Sequence, residues 1–458
     1  MVDSEADDLL RRAADASSRR RALDYLDAAD RLLEGTAEAD RRPTISALLR
    51  VRSLRALGRL DDARDVLDTL PRLIDALRLP IAERLDLTAA SRLEAGMVAF
   101  FRGDLHHAGE RLRDGLEGDA IPERPDAHAE AEGALALAAY LLGHLATARQ
   151  HHRGALAAGS APAAELAGLL LALETGRADD LAERAASIGD RAAGTEYEAV
   201  AWCVEAHALV AFGDHDGALA RLWRLGDPGA ATHPPLTRFL AMVGQLEVLT
   251  ARHEFAAALG LLRTVEADAD HAVCPASWEA RVLLETGDFA RAIALTEPCL
   301  VPGRPHAART LAYAHTVHAA ALAGIRDLVT ADAVFQRALS LASVTGLRRH
   351  LVGLPPSLLS LLLSRAAAAD LPASSHAVVL DIVGMLPTES RPVQPILSAR
   401  ERLVLEHLSA GEPLQRVAWL LSVSPNTVKA QARSIYRKLG VDSRESAVQR
   451  GRSLGLLG

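Results

Sequence analysis

The chain has 458 residues, 49% hydrophobic, 24% charged and only 3% aromatic, a composition that supplies ample core material and favours helix over sheet. Three scattered cysteines (Cys203, Cys274, Cys299) argue against a disulfide framework, and without a Cys-x-x-Cys pair there is no zinc motif, so no metal and no cofactor is expected. The net charge of −8 is unevenly spread: from Ser398 onward ten Lys/Arg face five Asp/Glu, a balance of +5, which leaves −13 on the rest.

The opening stretch "MVDSEADDLLRRAADASSRRRALD" is charged and has no apolar signal core. Apolar runs such as "LAGLLLAL" (166–173) fall well short of a membrane span. A cytoplasmic chain with no membrane partner is the expectation.

From the N-terminus to about residue 385 one phrase recurs between helical stretches: Gly, any residue, an apolar residue, two more, then Ala. It appears as Gly58-Arg-Leu60-Asp-Asp-Ala63, and again from Gly103, Gly143 and Gly287. Weaker copies begin at Gly176, Gly213 and Gly324, and "HEFAAA" (253–258) puts His253 in the glycine place. The spacing is roughly 33–45 residues, the range of two-helix solenoid repeats. Glycine ends the first helix in a left-handed cap, the apolar residue plugs the turn, and alanine lets the second helix approach closely. Each such hairpin leaves an apolar side that stacking covers. The pattern resembles a degenerate tetratricopeptide repeat, as in the helical-repeat region of MalT-like regulators. That resemblance implies a binding surface, not a catalyst, with a protein or small-molecule effector on its concave face.

The segment "LPTESRPVQPIL" (386–397) has three prolines and no helical period, and reads as a linker. It divides a repeat region (1–385) from a terminal domain (398–458). The fold class expected is all-α, a helical solenoid followed by a small four-helix domain.

That terminal domain is heavily punctuated. Ser398-Ala-Arg-Glu401 is a capping box, and Gly411 closes the first helix. Pro413 opens a short second helix with Val417, Leu420 and Leu421 turned inward. Ser424, followed by Pro425, caps a third helix ended by Gly440, and Ser443 caps a fourth that closes near Gly455. A short helix, a three-residue turn and a longer basic helix make a helix-turn-helix. On a wheel of about 100° per residue, Val428, Ala432, Ile435 and Leu439 share one face of the third helix. Asn426, Lys429, Ala430, Arg433 and Arg437 lie opposite, where lysine and arginine can donate to guanine and alanine can touch a thymine methyl. Lys429 and Lys438 are the chain's two lysines, against 49 arginines. Nine positions separate them, about half a turn around the helix, so they cannot share one task. Ser424, Thr427, Gln431, Tyr436 and Lys438 are candidates for phosphate contact.

The motifs "LSARE", "SVSPNTVK", "IYRKLGV", Ser443-Arg444, Ala447-Val448 and "LGLL" make this domain resemble the C-terminal DNA-binding domain of the LuxR family, from Leu397 to Leu457. The resemblance implies base reading by Lys429, Ala430 and Arg433, a pseudo-palindromic double-stranded DNA site, and a homodimer formed through the fourth helix, with Ala447, Val448 and Leu454 facing the partner. The second helix departs from the family's Ser-Asn-x-Glu-Ile-Ala: it reads Pro413-Leu414-Gln415-Arg416-Val417-Ala418, and Arg416 in the place of a carboxylate suggests an added phosphate contact. Gln431 stands where His is common.

Neither lysine follows a glycine-rich loop, which argues against a P-loop ATPase, and a lysine-free helical N-terminal region argues against a phospho-receiver. His106-His107 and His151-His152 are adjacent pairs whose rings diverge on a helix, poor chelates. No Ser/His/Asp, Cys/His or paired-carboxylate set has catalytic spacing, so no enzyme is expected. The reading is a DNA-binding transcriptional regulator; the alternative is a helical scaffold whose helix-turn-helix no longer reads DNA. A sigma-factor-like region would need a preceding basic, aromatic melting helix, which the repeat region lacks.

Overall fold

The computed structural model describes residues 2–457 except 16–17, 35–39, 118–124, 160, 177–179, 226–232, 264–273, 302, 304–305, 387–396, 398, 440 and 454–455. Among the described residues every regular element is a helix, and no helix is long and apolar enough to cross a membrane. The chain forms two units, Met1–Asp270 and His271–Gly458. The division falls inside the region read from sequence as one repeat array. Helices downstream of it have a core of their own, which includes Val317, Phe335, Leu339, Leu362 and Val379.

In the first unit, antiparallel hairpins follow one another, among them Ile81–Arg102 with Leu105–Leu116 and Pro125–Leu142 with Leu145–Ala158. The recurring phrase is their turn, and also the turn of the hairpins that begin at Pro275 and Ala308 in the second unit. Gly58, Gly103, Gly143, Gly213 and Gly287 have φ between 73° and 91°, the left-handed conformation that costs glycine least. His253 takes the same role at φ 61°, the one described residue of "HEFAAA" that had to bend this way. Leu60, Leu105 and Leu145 are buried two positions on, and Ala63, Ala108, Ala148 and Ala292 are fully buried at the close approach. Asp104, Asp214, Asp288 and Asp327 add a cap, each accepting from a backbone N–H in the first turn of the second helix. The copy expected at Gly324 is displaced by two residues. Arg326, φ 68°, is the left-handed residue there, and Asp327, Leu328 and Ala331 complete the phrase. Gly324 is needed for another reason: a Cβ on it would lie 2.6 Å from the Phe289 ring.

The inward side of the first unit is filled by its own side chains. Arg55, 3% exposed, reaches Glu196 at 2.5 Å, Glu130 at 3.2 Å and Glu94 at 3.8 Å, drawing together helices Arg42–Ala56, Ile81–Arg102, Pro125–Leu142 and Glu196–Ala211. Phe100, Phe101 and Tyr197 extend the contact edge to face, with ring centroids 5.2 and 5.3 Å apart. Burial alone would lower the Arg55 pKa, but the carboxylates of Glu196, Glu130 and Glu94 outweigh it and hold the guanidinium charged. The four helices thus meet in a packed ionic and aromatic cluster, where each buried charge finds a partner.

The second unit runs through helices Pro275–Thr286, Phe289–Thr296, Ala308–Gly324, Leu328–Thr345, Pro356–Ala368 and Ala373–Met385. Then come Ala399–Ser409, Leu414–Leu420, Pro425–Leu439 and Arg444–Ser453, which share a separate core of Leu397, Val404, Leu405, Leu408, Val417, Val428, Ile435, Leu439 and Ala447. The proline-rich stretch expected to be a linker lies outside the described residues apart from Leu386 and Leu397.

Candidate DNA-binding site

The site begins with a short helix and a tight turn. In Leu414–Leu420, Val417 and Ala418 face the core. Leu420, expected inside, is 37% exposed, and Trp419 beside it is 69% exposed. Val417 and Ala418 belong to the four-helix core, and Leu421 packs against it. The chain then turns at Leu421, Ser422 and Val423, with Ser422 left-handed at φ 52°. The Ser424 hydroxyl accepts from the Thr427 N–H at 3.1 Å, and the two hydroxyls lie 2.8 Å apart. This cap starts Pro425–Leu439.

The third helix divides along its length into two faces. Val428, Ala432, Ile435 and Leu439 are buried, while Asn426, Thr427, Lys429, Ala430, Arg433 and Arg437 are exposed. Gln431 and Tyr436 are half-buried; Tyr436 packs against the core, and its burial pushes the phenol pKa up, which keeps it a hydrogen-bond donor. Arg416 is exposed, with its guanidinium 4.6 Å from the Trp419 ring centroid in a cation–π contact.

Lys438 has a partner inside the protein. Its Nζ donates to Glu401 Oε2 at 2.8 Å, and Ser434 Oγ donates to Glu401 Oε1 at 2.8 Å. Glu401 is only 7% exposed, so its carboxylate is the buried counter-charge of the third helix. Ser398, the other half of the expected capping box, lies outside the described residues. The phosphate role expected of Lys438 therefore competes with a structural bond already made.

The fourth helix spends its inner face at home. Ala447 is fully buried in the four-helix core and Val448 packs against it, so Ala447, expected at a dimer surface, is a core residue of one chain. Gly451 is buried where a Cβ would come 3.0 Å from Leu405. Leu454, the third residue expected to face a partner, lies outside the described residues. Arg444 fastens the fourth helix to the first, donating to the Leu408 carbonyl at 2.6 and 3.0 Å.

Helix Ala373–Met385 packs against the C-terminal half of the third helix. Arg437 pairs with Asp370 at 3.1 Å and Arg450 with Asp381 at 3.2 Å. Between them His376 is 1% exposed; burial, then Lys438 and Arg437, hold its pKa below 6.5, partly opposed by the Ala369 backbone and Asp370. The signal in the sequence that bears on this contact is the charge split, acidic before Ser398 and basic after it.

A capped short helix, a tight turn, a third helix with one buried and one cationic face, and a bracing fourth helix define a helix-turn-helix domain. It is a LuxR-family DNA-binding domain: residues 395–450 match the family described as "Bacterial regulatory proteins, luxR family". The chain is 41% identical over 86 residues to the "Probable transcriptional regulatory protein NarL" of Mycobacterium tuberculosis, which is 18% of this chain and 40% of that protein. It is 45% identical over 51 residues to the "Putative HTH-type transcriptional regulator YhjB" of Escherichia coli K12, 11% of this chain and 26% of that protein. The chain thus covers less than half the length of these curated relatives.

Proposed function

We propose that this chain is a sequence-specific DNA-binding transcriptional regulator whose helical region senses a protein or small ligand and governs access of the terminal domain to DNA. The observation that carries the reading is the exposed row Asn426, Lys429, Ala430 and Arg433, on a helix whose opposite stripe is wholly buried. The row lies in the N-terminal part of the helix, the part that recognition helices present to base edges. Lys429 and Arg433 are the base-reading residues, with Ala430 against a thymine methyl and Asn426 beside them. Ser424 and Thr427, at a capped helix start, hold a phosphate, and Arg416 reaches the same backbone.

Binding-site selection from random duplexes tests this on the full chain. The wild type enriches one pseudo-palindromic motif if the domains pair as a homodimer on DNA. Lys429→Ala with Arg433→Ala flattens that motif, each lost base contact costing about 1–3 kcal/mol of discrimination. An unchanged motif in the double variant would sink the assignment.

A second reading has its own observation. Trp419 at 69% and Leu420 at 37% exposure make the second helix partly apolar on its outer side. A scaffold whose helix-turn-helix has turned to protein binding would show such a face. It predicts that Trp419→Ala abolishes partner capture and leaves DNA affinity negligible in both forms.

A further inference from the structure

The second unit brings together two of the chain's three cysteines and a histidine. Cys274, Cys299 and His306 place one ligand atom each within 4.8 Å of one another, and both sulfurs are buried. We infer that these three side chains form a binding site for a thiophilic divalent cation, zinc(II) being the best fit.

The geometry argues first. The two Sγ atoms are 3.5 Å apart. A disulfide would bring them to about 2.05 Å. Two thiolates on one tetrahedral zinc, each at about 2.3 Å, lie about 3.8 Å apart. The pair sits close to the metal spacing before any ion is added.

The surroundings favour thiolates. Cys274 is the N-cap of Pro275–Thr286, a helix of 12 residues, and the partial positive charge of that helix start stabilises a sulfur anion. Ser277, in the first turn, directs its hydroxyl to Cys299 Sγ at 3.8 Å, the kind of outer hydrogen bond that orients a ligand sulfur. Cys299 itself is fixed in the 3-10 turn Glu297–Leu300. Ala314, Ala276 and Leu300 pack around the sulfurs, and Trp278 stacks on Tyr313 with centroids 4.9 Å apart.

Charge selects the ion. Two thiolates and a neutral imidazole cancel a divalent charge, which is the least costly state to bury. A monovalent soft ion would leave a net negative charge among apolar neighbours. Calcium and magnesium want carboxylate and carbonyl oxygens, and this donor set offers sulfur and nitrogen. Three protein ligands leave a fourth position for water or an incoming group, the arrangement of a site that exchanges its metal. The ion would tie three segments together: the start of Pro275–Thr286, the turn after Phe289–Thr296, and the approach to Ala308–Gly324. Binding is independent of whether the terminal domain reads DNA.

Cobalt(II) is the probe. The full-length chain is purified with a non-thiol reductant, stripped with a chelator and titrated. The expected result is one equivalent bound, with a thiolate-to-cobalt charge-transfer band and tetrahedral visible bands, both bleached by one equivalent of zinc. Cys274→Ser and Cys299→Ser each lose at least half of the charge-transfer intensity, and His306→Ala weakens cobalt binding at least tenfold. Cys203→Ser, whose thiol is buried elsewhere against the Thr237 carbonyl, keeps the full spectrum. Should the serine variants misfold, the wild-type chain decides alone, since zinc must raise its thermal midpoint and remain bound through gel filtration. Absence of the spectrum in the reduced wild-type chain overturns the site. So does its survival in the double cysteine variant, or oxidation to a Cys274–Cys299 disulfide with no metal uptake after reduction.

Discussion

Replacing Lys438 by Met separates two roles that the sequence left together. The substitution keeps the length of the side chain and removes its charge. Glu401 then retains the Ser434 hydroxyl but loses its counter-ion in a site where its side chain is 9% exposed and that of Lys438 17%. Removing one partner of a fully buried pair costs about 3–5 kcal/mol. Partial exposure of the ammonium reduces this to about 2–3 kcal/mol. For a domain of this size that is a fall of roughly 10 °C or more in the thermal midpoint. The residues 386–458, which have their own core, give the two-state transition in which to measure it. Lys438→Met combined with Glu401→Gln recovers part of the loss, a coupling of about 1–3 kcal/mol. DNA binding supplies the opposing readout. A lysine on a phosphate contributes about 0.9 to the slope of log affinity against log salt, and a lysine held by Glu401 contributes nothing. The refuting result is therefore a slope reduced by about 0.9 with stability unchanged.

Three other outcomes follow from packing and burial. Arg55→Met leaves Glu130 and Glu196 without their guanidinium, while Glu94 keeps Arg52, and destabilises the first unit by about 3–5 kcal/mol, read by thermal unfolding of the full chain. Gly324→Ala drives a methyl into the Phe289 ring and costs about 1–3 kcal/mol, whereas Gly260→Ala, whose Cβ meets nothing within 4 Å inside a helix, gains about 0.5–1 kcal/mol. Below pH 6.5 the second unit loses stability. The folded-state pKa of His376, and of His315 and His318, is depressed chiefly by burial, so the unfolded chain takes up protons first. Stability from these groups is present above 6.5, falls as the pH drops through the folded values, and is flat beneath them. Protection factors in Ala373–Met385, corrected for the intrinsic pH dependence of amide exchange, should fall between about pH 7 and 5 in the wild type and change less in His376→Leu.

What the sequence made legible is what local physics determines. The stripe Val428, Ala432, Ile435, Leu439 follows from helical period alone, and all four are buried. Left-handed turns at Gly58, Gly103, Gly143 and Gly287 follow from a glycine ahead of an apolar-Ala pair, and even His253 obeyed the pattern. What local physics left out were contacts distant in sequence. Glu401 reads locally as a capping residue because Ser398 stands three positions away; its Lys438 partner is 37 positions away. Ala447 looked like an interface residue, yet the four-helix core buries it. Cys274 and Cys299 are 25 residues apart, and only the fold brings their sulfurs to 3.5 Å.

The basic surplus of the terminal domain is smaller in practice than in count. Of its ten cationic side chains, Lys438 serves Glu401, Arg444 the Leu408 carbonyl, Arg437 Asp370 and Arg450 Asp381. The first two hold the domain together. The last two join it to the helices before it, and they are exposed enough that each is worth at most about 1 kcal/mol. These two ion pairs alone would then restrain DNA binding by no more than about thirtyfold. A stronger restraint has to come from the packing of Ala373–Met385 and the burial of His376 against the C-terminal half of the recognition helix. Lys429 and Arg433, nearer its start, remain exposed throughout. Asp370→Ala with Asp381→Ala should accordingly raise DNA affinity modestly and steepen its salt dependence, since two cations are returned to the phosphate-facing pool. Unchanged affinity and slope would show that Arg437 and Arg450 never reach the duplex.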